Sequence, residues 1–208
     1  MILTPLSPDR LRGALRRFRA GLASDYTRRI FARISLPSQT ARAWGAHAAL
    51  QHSAALRLAR RLGIALRDGR PRSACGWDGR ALASRTEAYV LLHEIAHYQL
   101  AAPARRRAAD FGLGPGPESG DRARAARAAT RDGIAREREE AMASLLGILW
   151  EVELGQPALA SFLDQNWLEG HERPTGPRHF ETVVAELAAG GFLGRAGRPT
   201  RKLRHAGD

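Results

Sequence analysis

The 208-residue chain has a single cysteine, Cys75, so it can form neither an internal disulfide nor a cysteine-built zinc or iron–sulfur centre. Cys75 has no CxxC partner and no adjacent base, and so reads as a structural thiol rather than a nucleophile. No apolar run approaches the ~18 residues that a membrane-spanning helix needs. The opening Met1-Ile2-Leu3-Thr4-Pro5 lacks the basic-then-apolar order of a secretory leader, and the expectation is a cytoplasmic protein. Lysine occurs once, at Lys202, and every other cationic side chain is arginine. Aromatic residues make up only 6% and do not interleave with the arginines, which argues against a base-stacking platform for single-stranded nucleic acid. The glycine-rich stretch 112–120 carries no GK[ST] and is not a phosphate loop.

What is present is a strong basic excess and enough apolar residues for one core. Thirty-three Lys+Arg against 21 Asp+Glu give a formal net charge of +12. Such a field attracts an acidic partner, an acidic protein or nucleic acid, although a coding bias toward arginine produces the same excess. A hydrophobic content of 44% supports a single domain, placed at residues 1–193, with 194–208 as a basic, mobile tail.

The pattern along the chain is mainly helical. Ser7-Pro8-Asp9 starts a helix, followed by the apolar stripe Leu11, Leu15, Phe18 and Leu22. A second helix covers Asp25 to Ile34, and a third runs from Ser38 to Leu62, carrying Trp44, Leu50, Leu56 and Leu58. Short apolar runs between the Asp-Gly turns of residues 63–79 predict a hairpin or two edge strands. Ser84-Arg85-Thr86-Glu87 fits a capping box opening a helix over Ala88–Leu100, apolar almost all round and therefore central. Further helices are expected over 121–131 (basic and exposed), 134–154 and 177–189. The fold class is therefore α+β, mostly α, with a small β-sheet beside the central helix.

That central helix carries His93-Glu94-Ile95-Ala96-His97, an HExxH sequence. Residues four apart share a helix face with Cβ atoms about 6 Å apart, so the two imidazoles can hold one metal ion. Charged and titratable residues are rarely placed in so apolar a helix without a reason. Two histidines need a third protein ligand, and no HxxGxxH extension follows His97. Glu137, Glu139 and Glu140 precede the apolar run of the next long helix. Glu140 is the first choice because Ala143, one turn on, leaves room for close packing, and Glu137 is the second. His47, His52, His171, His179 and His205 read as surface residues. Two chemistries fit two His and one Glu. With Zn(II), Glu94 is the general base of a gluzincin-like metallopeptidase; with Fe(II), the ligands form a facial triad that accepts O2. A basic nucleic-acid-binding module with a structural metal is the non-enzymatic alternative.

From His93 onward the chain resembles the bacterial elongation factor P hydroxylase family. The likeness runs through Leu92-His93-Glu94-Ile95-Ala96-His97-Tyr98, then Ala104-Arg105-Arg106, then Asp110-Phe111-Gly112. Glu140 falls where the family has a Glu fifteen residues before a Gly-x-Pro, here Gly155-Gln156-Pro157, and Leu168-Glu169-Gly170 also recurs. The likeness covers residues 86–190 and leaves 1–85 unmatched. It implies a zincin-like fold and a non-haem Fe(II) hydroxylase that uses O2 on a modified lysine of elongation factor P, an acidic protein. It also implies His93, His97 and Glu140 as metal ligands, with Glu94 as the neighbouring acid or base.

Overall fold

The structure is a computed structural model, and it describes residues 8–36, 40–70, 76–114, 123, 126, 127, 129–131, 133–168 and 175–206. Seven α-helices and one two-stranded sheet are found among them: α1 (Pro8–Ala20), α2 (Asp25–Ser35), α3 (Gly45–Arg61), β1 (Leu66–Arg67), β2 (Leu82–Ala83), α4 (Ala88–Leu100), α5 (Gly133–Glu153), α6 (Ala158–Asp164) and α7 (Thr175–Ala189). The α+β, mostly α expectation is met. Cys75, His171 and residues 121, 122, 124, 125 and 128 of the expected 121–131 helix lie outside the described residues.

The centre of the molecule is the antiparallel pair α4 and α5. Leu91, Leu92, Ile95, Ala96 and Leu100 of α4 are buried, as are Ala143, Leu145, Leu146, Ile148 and Leu149 of α5. Gly147 sets how closely the two helices approach. A Cβ there would stand 3.2 Å from both the backbone N and Cα of His93, so only glycine admits this contact without a shift of the partner. A second cluster packs on this pair through α1, α2, α6 and α7. Phe18, Phe31, Phe162, Phe180 and Trp167 interlock there, mostly edge to face, with Phe18 and Phe31 stacked at 4.8 Å; such geometry suits the aromatic quadrupole. The α1–α2 corner is fixed by Ser24, whose hydroxyl caps α2 by accepting from Thr27 N at 3.0 Å. It is fixed also by Glu181 of α7, which accepts from Ala23 N and Ser24 N at 2.7 and 3.1 Å.

Several expectations are corrected. The third helix starts at Gly45, not Ser38, and Trp44 and Leu50 are exposed rather than packed. Of the two alternatives for the sheet, the edge strands are found and the hairpin is not: the strands pair parallel, with Leu66 opposite Leu82, and the second lies beyond residue 79. An isolated antiparallel bridge, Trp77 to Leu82, closes around Asp78, whose side chain accepts from Arg80 N and Ala81 N. The capping box does not form. Ser84 continues the ladder instead, its N–H donating to Arg67 O and its carbonyl accepting from His52. The sheet thus outcompetes the cap, and α4 begins three residues later on Glu87, without a side-chain cap bond. Finally, the segment expected to be mobile is tied down over much of its length. Gln99 of α4 donates to Thr200 O and Lys202 O at 2.9 Å and accepts from Arg204 N through its own carbonyl.

Candidate metal centre

α4 presents His93 and His97 one turn apart, and the close crossing at Gly147 brings Glu140, two turns earlier on α5, opposite them. The two Nε2 atoms are 3.0 Å apart. Glu140 Oε2 lies 3.3 Å from His97 Nε2 and 3.6 Å from His93 Nε2. Among the described residues these three form the one group of His, Cys, Asp or Glu whose donor atoms converge to metal-binding distance. The donor set fits a first-row divalent ion. Bonds of ~2.1 Å place neighbouring donors about 3.0 to 3.4 Å apart in octahedral or tetrahedral geometry. All three donors are nitrogen or carboxylate oxygen, which suits iron and zinc alike.

Of the three glutamates considered, Glu140 alone meets the histidines. Glu139 points to the other side and is buried, with Arg105 Nη2 on its two oxygens at 2.5 and 2.6 Å. Glu137 is exposed. The electrostatics follow from the triangle. Burial opposes charge on all three groups. For Glu140 the hydrogen bonds of both histidines prevail and hold its carboxyl far below the usual range. The Glu140 carboxylate in turn outweighs burial at His97 and raises its pKa, whereas burial prevails at His93 and lowers it.

An aromatic stack clamps His97. Phe111 lies parallel to the imidazole at 5.6 Å, and Trp77 stacks on Phe111 at 5.4 Å. Trp77 is itself fixed by its indole N–H on Arg106 O. The ring reaches His97 because Asp110, Phe111 and Gly112 all take positive φ, 51°, 50° and 68°. Two consecutive non-glycine residues in this region are strained, and such strain gathers at functional sites. His97 Nδ1 is buried with no hydrogen-bond partner, so on that edge packing holds the ring, while Nε2 faces His93 and Glu140.

Glu94 flanks the triangle on the sheet side. Its side chain fills the space that a Cβ on Gly76 would enter, at 3.0 Å from Glu94 Cγ. One carboxyl oxygen, Oε2, is buried without a partner, and burial pushes this carboxyl up to about 7. On the opposite side the centre opens into a cleft of ≈ 670 Å³ whose walls include His93, Glu140, Ser144, Asn166, Trp167 and His179. Trp167 donates its indole N–H to Ser144 Oγ at 2.7 Å, and His179 stacks on it at 5.4 Å. His179 is exposed, as expected of a surface residue, and it also stands on the cleft wall. No local pattern signals this, because α7 is brought there by the aromatic cluster. His47 is exposed and His52 is bonded to Ser84 O, so neither joins the centre. No protein-family model, curated protein or solved structure matches the chain.

Proposed function

We propose that the protein is a non-haem Fe(II)-dependent hydroxylase acting on a modified lysine of elongation factor P or a related acidic protein. The observation that carries this reading is the convergence of His93, His97 and Glu140 at one edge of an open cleft. Two imidazoles and one carboxylate on one side, with the other side accessible, match the donor set of O2-activating iron. The resemblance of residues 86–190 to the elongation factor P hydroxylases supports the substrate, and through them the zincin-like fold. The net charge of +12 suits an acidic protein better than a neutral one, and the site of action is cytoplasmic.

In this reading His93 and His97 hold the ion, and Glu140 completes the set and offsets its charge. Bound ferrous iron supplies the activation of O2. The overall change would place one oxygen atom of O2 in a substrate C–H bond and release the other as water, with two electrons from an external reductant and two protons. Phe111 and Trp77 keep the His97 ring from turning. Glu94 stands beside the centre with one buried oxygen free of hydrogen bonds, and would be the group that takes up or gives a proton there. The cleft, of ≈ 670 Å³, leaves room for an extended side chain.

The place of Glu94, in the HExxH pattern beside the centre, favours a second reading, a gluzincin-like zinc metallopeptidase, because water activation requires a carboxylate base next to the metal. The two separate cleanly by experiment. In the first reading, elongation factor P from cells with the intact gene is one oxygen heavier at the modified lysine than from cells carrying His97→Ala. Equal masses, with peptide cleavage by the zinc-loaded protein that Glu94→Gln abolishes, would favour the peptidase.

A further inference from the structure

Positive charge is concentrated on α1. Five of its 13 residues, Arg10, Arg12, Arg16, Arg17 and Arg19, are exposed arginines, and no acidic residue occurs between Asp9 and Asp25. Like charges three and four apart on a helix repel one another, so the pairs Arg12–Arg16 and Arg16–Arg19 oppose the helix that bears them. The helix dipole favours Arg17 and Arg19 in the last turn, but not Arg12 and Arg16 before it. No carboxylate among the described residues pairs with Arg16 or Arg19.

Three of these arginines line a groove. Arg12, Arg16 and Arg19 follow one flank of α1, and with Leu15, Phe31 and Ser35 they enclose ≈ 560 Å³ between α1 and α2. No acidic side chain is among the described residues that line it. Leu15 is half-buried in the groove wall, and Leu36, directly after Ser35, is 75% exposed. Phe31 closes the floor but is only 1% exposed, so the accessible apolar surface here comes from the two leucines.

The basic helix ends beside the metal-site cleft. A Cβ on Gly21, just past α1, would stand 2.8 Å from Pro177 Cγ of α7, and Gly176, the residue before that proline, lines the cleft. A segment laid along α1 therefore leads towards the metal centre. The acids at this end of α1 are committed elsewhere: Glu181 accepts from Ala23 N and Ser24 N, and Asp25 pairs with Arg28.

We propose that this groove docks an acidic segment of a partner protein, its carboxylates on Arg12, Arg16 and Arg19 and an apolar side chain on Leu15 and Leu36. Guanidinium forks pair with carboxylates bidentately. From Arg12 to Arg16 the helix rises about 6 Å, close to the ~7 Å between alternate residues of an extended chain. Carboxylates two apart in such a segment thus fall opposite both arginines. Nucleic acid is the poorer match, because Phe18 and Phe31 are buried and offer no ring to a base, and a phosphate backbone has no apolar group for the leucines. The assignment rests on the proposed function only in taking the partner to be an acidic protein.

The test is fluorescence anisotropy of the full chain, at low ionic strength, with a short labelled peptide carrying Glu at alternate positions and Leu between them. Comparison probes replace Glu by Gln or Leu by Ser, and a fourth is single-stranded RNA of similar length. The informative variants are Arg16→Glu and Arg19→Glu, both at exposed positions. Arg61→Glu, at the end of α3 and outside the groove, changes the net charge equally. Saturable binding of the Glu–Leu peptide is expected in the wild type and Arg61→Glu, and about fivefold weaker binding in Arg16→Glu and Arg19→Glu. The melting temperature of Arg16→Glu should rise, because two repulsions on α1 become attractions. Absence of saturable binding, or an equal loss in Arg61→Glu, would overturn the groove. Weaker binding accompanied by a lower melting temperature would assign Arg16 to the fold instead. RNA bound more tightly than the peptide, through the same arginines, would overturn the partner class, and equal binding of the Ser peptide would remove the leucines from the site. Binding is read here without metal or oxygen, so failure of the groove and failure of the hydroxylase reading are told apart.

Discussion

His97 is the most enclosed of the three converging donors, and Glu140 the most accessible. Three glutamates within four residues separate ligand from bystander in a single experiment. Glu140→Ala should abolish stoichiometric iron or zinc uptake, measured by elemental analysis of purified protein, and Glu137→Ala should leave it unchanged. Glu139→Ala should retain the three donors yet strand the buried Arg105, costing about 3–5 kcal/mol of stability in denaturant unfolding. Uptake lost in Glu137→Ala but kept in Glu140→Ala would sink the assignment. Glu151 gives a prediction in pH. Burial, the largest cause, pushes its carboxyl up to about 7 from an ordinary value of 4.5. Between those values the folded protein holds a proton that the unfolded chain has lost. Stability from this group is therefore highest on the acidic side and falls as pH rises through the window, by up to about 3 kcal/mol. Glu151→Gln should flatten the dependence of melting temperature on pH between 5 and 7.5, and an unchanged slope would show that Glu151 does not cause it.

At the scale of elements, Gly147 decides whether α5 can deliver Glu140 to α4. Gly147→Val should force the helices apart, cost about 1–3 kcal/mol through overpacking, and weaken metal binding although no donor is altered. Unchanged metal affinity in a folded Gly147→Val protein would mean that the crossing is not what positions the donors. Much of this geometry was legible in the sequence, because helical spacing alone puts His93 and His97 on one face and an all-apolar pattern makes α4 central. Glu140 was chosen through Ala143, which is buried against α4 as reasoned, but the tighter constraint is Gly147, one further turn along. What escaped was non-local. The strands pair across residues 66 and 82, and that pairing takes Ser84 from its capping role. The short α6 was not anticipated either, and His179 and Trp167 reach the cleft through contacts far apart in the chain. The Asp110-Phe111-Gly112 motif was visible as a likeness, yet its physical meaning, a left-handed turn that lays a ring on His97, needs three dimensions.

For the molecule as a whole, charge governs encounter more than fold. With a net charge of +12, association with an acidic protein partner should be steered. Its on-rate should drop about tenfold or more between 50 and 500 mM salt while the off-rate changes little. Stopped-flow association with purified elongation factor P measures both, and a salt-independent on-rate would remove electrostatics from recognition. No helix among the described residues is long and apolar enough to cross a membrane. The return of the chain onto α4 has a consequence for how the protein is made. Gln99 finds its backbone acceptors at Thr200 and Lys202 only 101 and 103 positions later. At translation rates of about 5–20 residues per second, the end of the HExxH helix waits roughly 5–20 s on the ribosome before its buried amide can be satisfied. During that interval the histidines are exposed to whatever ions surround the nascent chain, and the first metal to meet them need not be the one that the finished protein keeps.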